Sequence, residues 1–96
     1  MAITKQLCVV VPLFNEESTI APLVEAILRA AAPHPCRILL IDDGSFDGSG
    51  ARCADAAAAH PEVEVLRFAV NRGKTAALTE GFARAQIEAD AIDRAD

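Results

Sequence analysis

Three short segments carry the side chains that could do chemistry: FNEES at 14–18, DDGSFDGSG at 42–50 and NRGK at 71–74. Asp42 and Asp43 stand side by side straight after the aliphatic run CRILLI (36–41), where a buried strand leaves the core. Like charges that close repel, so the pair calls for solvent, for separate partners or for a ligand. Carboxylates there can accept hydrogen bonds from a base or a ribose, or sit beside a metal shared with phosphates. The plainer alternative is that Asp42 and Asp47 cap turns and the helix that follows. Gly44, Gly48 and Gly50 would let a ligand approach the backbone closely. In the first segment Phe14 could line a base-sized slot, and Asn15, Glu16 and Glu17 could accept ligand N–H or O–H groups. Equally, Asn15 could cap a turn while the glutamates favour a helix N-terminus. In the third segment Arg72 and Lys74 flank Gly73 at the start of a helix, an arrangement suited to an anion, or else ordinary surface charge. It is not a P-loop, since GxxxxGK[ST] is absent.

The elements that must position these segments alternate regularly. LCVVVPL (7–13), CRILLI (36–41) and VEVLRFAV (63–70) read as strands, the first continuously apolar as in a sheet covered on both faces and the second buried as well. Between and after them lie helical patterns at 19–32, 50–60 and 74–95. Thr19 is the expected N-cap of the first helix, with Pro22 in its first turn. Leu78, Phe82, Ala85, Ala89 and Ile92 are the expected apolar face of the last. The order β-α-β-α-β-α implies an α/β fold: a three-layer, Rossmann-like parallel sheet with right-handed crossovers and helices on its faces. Ligands bind such sheets outside the carboxyl ends of the strands, and all three segments leave those ends. They are expected to converge on one rim.

Composition narrows the field further. The chain has 96 residues, a formal net charge of −5 and 4% aromatics, which disfavours a broad nucleic-acid face and fits one small domain. Cys8, Cys36 and Cys53 lack CxxC spacing and read as thiols of a reducing compartment. His34 and His60 each precede a proline away from the three segments, so neither a zinc site nor a Ser–His–Asp arrangement is arguable. No stretch approaches the roughly 20 apolar residues of a membrane helix, nor a signal-peptide core, so a cytoplasmic location is expected.

Together, VVVPLFNEE, ILLIDDGSFDGS and NRGKTAALTEGFARA resemble the amino-terminal half of family 2 glycosyltransferases, over about residues 7 to 85. The likeness is greatest to dolichyl- and polyprenyl-phosphate mannosyl- and glucosyltransferases. The resemblance implies a partial GT-A fold that binds a nucleotide-diphosphate sugar, UDP- or GDP-linked. It implies that Pro12, Phe14 and Glu16 belong to the first nucleotide-contacting loop. Asp43, with Asp42 beside it and Gly44 and Ser45 shaping the turn, would contact base or ribose. Arg72, Gly73 and Lys74 would face the diphosphate.

In that family a fourth strand follows, ending in a DxD motif that holds Mg2+ or Mn2+, and acceptor-binding residues and the catalytic base come later. Here ARAQIEADAIDRAD follows Phe82, and Glu88 to Asp90 keep helical spacing with no aliphatic strand before them. The expectation is therefore a donor-binding portion that does not turn over alone, with no catalytic residue in this chain and its metal ligands unknown. The chain would be an excised piece, a natural truncation or a sequence that continues. A polyprenyl-phosphate acceptor would engage only the missing part, and the full-length protein could be membrane-associated. An open edge at the first strand, or the last helix, would then favour a homo-oligomer. The alternative function is a non-catalytic, self-associating α/β module. A phosphoacceptor receiver domain is disfavoured, because there the acid pair follows the first strand.

Overall fold

The computed structural model describes residues 7–94, with side chains through residue 85. The chain runs β1 (Leu7–Leu13), α1 (Ile20–Ala31), β2 (Cys36–Asp43), α2 (Ser49–Ala59), β3 (Val63–Phe68) and α3 (Lys74–Arg94). The strands form one parallel sheet in the order β1-β2-β3. Val9 lies opposite Ile38, and Leu13 opposite Asp42. On the other side of β2, Asp42 lies opposite Arg67 and Asp43 opposite Phe68.

Because successive side chains on a strand point to opposite faces, β2 divides its apolar residues between two cores. Ile38 and Leu40 join Leu13, Ile20, Val24, Cys53 and Ala56 beneath α1 and α2. Leu39 and Ile41 join Phe68 and Ala77 beneath α3, with Val10 and Leu66 packed alongside. All four aliphatic residues of β2 are at most 3% exposed. Burial on that scale is worth about 1.5–3 kcal/mol per side chain and makes β2 the spine of the molecule. The two acids at its end inherit the same alternation.

The expected face of α3 is corrected by the packing. The helix meets the sheet through Ala77, which is fully buried, and through Gly81, where an added Cβ would collide with Ile41 and Val10. Phe82 points outward, 60% exposed. Small residues let the helix backbone lie close to the sheet, so the large Phe82 falls off the packed stripe, while Leu78 and Ala85 of the expected face are half-buried. Ala89 and Ile92, like the outward placement of Glu88 and Asp90, lie outside the described side chains. The backbone there is nevertheless helical, not a strand.

Thr19 occupies the N-cap position of α1, but its hydroxyl caps nothing. Its backbone is already helical (φ −102°, ψ −16°), which points the side chain back so that Oγ1 donates to the Glu16 carbonyl at 2.9 Å.

Candidate functional site

The segments 14–18, 44–48 and 69–73 leave the carboxyl ends of β1, β2 and β3, and side-chain hydrogen bonds tie them together. Ser45 Oγ accepts from the Asn15 N–H at 3.0 Å, and Asn15 Oδ1 in return accepts from the Phe46 N–H at 3.0 Å. Ser49 Oγ accepts from the Glu16 N–H at 2.8 Å. To make this exchange Asn15 adopts φ 52°, a left-handed conformation that Asn tolerates better than most residues. Phe14 meets Phe46 edge to face, ring centroids 5.7 Å apart. The first two loops are thereby latched.

Asp47 holds the entry to α2. Its Oδ1 accepts from the Ser49 N–H at 2.8 Å, and its Oδ2 lies 3.4 Å from the Glu17 N–H. The hydrogen bond from the Ser49 side chain, helped by these backbone donors, lowers its pKa, although partial desolvation opposes the shift. The cap-like alternative read from the sequence thus describes Asp47 well.

The adjacent acids separate cleanly. Asp42 continues the α1–α2 face: it is fully buried, its Oδ1 accepts from the Ser45 N–H at 3.0 Å, and Arg67 Nε lies 3.5 Å from Oδ2. That contact is an ion pair without hydrogen-bond alignment, and Oδ2 has no hydrogen-bond partner among the described residues. Asp42 is not part of the cleft lining. Strand alternation turns it away from the cleft, and its bond to the Ser45 N–H anchors the turn. Beneath it the Cys53 thiol is pushed up to about 11, first by burial and then by the Asp42 charge.

Asp43 continues the α3 face and is 3% exposed. Its Oδ1 accepts from the Arg72 N–H at 2.7 Å, and its Oδ2 from the Gly73 N–H at 2.9 Å and Asn71 Nδ2 at 3.1 Å. Asn71 Nδ2 also reaches the Asp43 carbonyl at 3.0 Å. Closing the second and third loops this tightly requires Gly44, at φ 71°, because a Cβ there would strike the backbone of Val70 and Asn71.

A cleft of about 280 Å³ opens at this junction, lined by Pro12, Leu13, Phe14, Glu16, Asp43, Asn71, Gly73 and Lys74. Of the expected site residues it gathers Pro12, Phe14, Glu16, Asp43 and Lys74. Arg72 stands apart: its guanidinium lies over the Phe68 ring, 4.6 Å from the centroid, with Nη2 3.8 Å from Glu80 Oε1. The backbone N–H groups of Arg72 and Gly73 are taken up by Asp43. Asn71 and Leu13 are the lining residues that sequence reading missed. An Asn straight after a strand and before Arg-Gly is a turn signal, but its partner lies 28 residues away.

The cleft pairs a buried acceptor, Asp43, with an exposed carboxylate, Glu16, and an ammonium, Lys74, between an aromatic and a proline. That combination suits a ligand with an apolar ring, N–H or O–H donors and an anionic group. No three His, Cys, Asp or Glu side chains among the described residues come together as a metal site. The described residues alone therefore do not fit the Mg2+ or Mn2+ expected for the full enzyme. A second hollow of about 330 Å³, lined by residues including His34, Cys36 and Glu62, lies at the opposite, amino end of the strands.

The pattern of Glycosyl transferase family 2 matches residues 8–89. An undecaprenyl-phosphate 4-deoxy-4-formamido-L-arabinose transferase from Pectobacterium carotovorum is 38% identical over 85 residues, 84% of this chain and 26% of the relative. The polyprenol monophosphomannose synthase of Mycolicibacterium smegmatis is 36% identical over 82% of this chain and 29% of its own length. Among solved structures, a mannosyltransferase from Pyrobaculum calidifontis in complex with GDP-Man and Mn2+ superposes with a TM-score of 0.65 at 26% identity. That superposition covers 85% of this chain and 25% of the other. The chain thus spans about a quarter of the length of these relatives. With its parallel α/β layer, its three loops in the expected order and a match over most of its length, the chain belongs to glycosyltransferase family 2.

Proposed function

We propose that the chain is the nucleotide-diphosphate-sugar-binding portion of a transferase that moves a sugar onto polyprenyl phosphate. The supporting observation is Asp43, held at 3% exposure in the cleft that also contains Phe14, Glu16 and Lys74. In this reading the base inserts beside Phe14 and Pro12, Asp43 accepts a donor from base or ribose, and Lys74 attracts the diphosphate. A divalent metal, as in the Mn2+ complex of the Pyrobaculum calidifontis mannosyltransferase, belongs to the whole enzyme, where it would offset the charge of the leaving diphosphate. Its ligands and the catalytic base would come from residues other than those described, and this chain alone would not turn over. No helix among the described residues is long and apolar enough to cross a membrane, and the reading assigns this portion to the cytoplasm.

Titration calorimetry with UDP and GDP tests the reading. Wild type is expected to bind at least one of them, Asp43→Ala to lose that binding with its circular dichroism intact, and Lys74→Ala to weaken it by about tenfold. Unchanged binding in Asp43→Ala would remove Asp43 from the site. A second reading, a non-catalytic module that self-associates, draws on β1 standing at the end of the strand order among the described residues. It predicts no heat with either nucleotide and a light-scattering mass above one chain, and a mass of one chain at high concentration would exclude it.

A further inference from the structure

Among the described residues Asp43 accepts three side-chain hydrogen bonds, and they are unevenly distributed. Oδ2 receives two, from Gly73 N and Asn71 Nδ2, whereas Oδ1 receives one, from Arg72 N. A carboxylate offers about four acceptor positions, two on each oxygen. A single position therefore remains for a ligand, and it is on Oδ1. Asn71 is what fills Oδ2, because the two backbone N–H groups supply only one bond to each oxygen.

We propose that Asn71 is a specificity-determining positioning residue: by occupying Asp43 Oδ2 it leaves one acceptor position and selects a base presenting a lone N–H, so that uridine is preferred over guanosine. Uracil offers a single ring N–H flanked by two carbonyls. Guanine offers two adjacent donors, the ring N–H and the exocyclic amine, which a carboxylate satisfies best with both oxygens. In this cleft the second guanine donor would be left unpaired close to a buried carboxylate, a loss of about tenfold in affinity. The inference rests on the donor-site reading above and goes beyond it by choosing the base.

The test uses the whole chain and four probes, UDP, GDP, ADP and CDP, titrated separately. The expected result is that UDP binds most tightly, about tenfold more so than GDP. Asn71→Ala, which frees Oδ2, is expected to narrow the UDP-to-GDP ratio by at least about fivefold while circular dichroism remains native. Equal or tighter binding of GDP, ADP or CDP by wild type would overturn the base preference but leave the donor site standing. A ratio unchanged in a folded Asn71→Ala would overturn the role of Asn71. Should that variant fail to fold, the wild-type ratio alone decides the preference, and Asn71→Ser serves as the second variant. Failure of all four probes to bind would sink both the preference and the donor-site reading.

Discussion

Asp42 and Asp43 are neighbours in sequence but face opposite sides of a β-sheet, and their partners differ accordingly. One anchors a turn from inside the α1–α2 core, and the other closes a loop beneath the cleft. Asp47 shows the same economy of partners at the surface, and it yields a pH prediction. Its folded pKa is lowered from the ordinary 3.8, chiefly by the Ser49 side chain. The contribution to stability is therefore present above the unfolded value and lost as pH falls through the lowered one. Melting curves should show Asp47→Asn less stable than wild type at pH 6, with the gap closing by about pH 2. A gap that does not change with pH would contradict this role. Asp43, Glu16 and Lys74 were legible as site candidates because their types and their place after strands suffice. Asn71 was not, since its place in the cleft depends on an amide reaching a carboxylate across 28 residues of chain.

At the level of elements, the strands were the most legible part, because β-branched runs buried on both faces leave little ambiguity. Helix existence was legible too, but not which stripe of α3 packs. Periodicity weighs large apolar residues, whereas the contact with the sheet is made by Ala77 and Gly81. Gly81→Val would force a branched side chain into Ile41 and Val10 and should lower unfolding free energy by about 1–3 kcal/mol. Phe82→Ala, on the exposed stripe, should change it by less than about 0.5 kcal/mol. Denaturant titration of both variants checks this, and the reverse ranking would restore the face expected from spacing.

For the whole molecule, the parallel sheet sends three loops to one rim, where Ser45, Ser49, Asn15 and Asp43 fasten them to each other. This convergence was readable from element order alone. The detailed lining was not, because it depends on which face each side chain takes. The chain shares family 2 membership with relatives about four times its length, so the cleft is judged best as a binding site in its own right. Backbone amide NMR during separate titrations with UDP and GDP tests it most directly. The account predicts shifts concentrated at residues 13–16, 43–46 and 71–74. Shifts confined to the hollow around His34, Cys36 and Glu62, or none with either nucleotide at saturation, would contradict it.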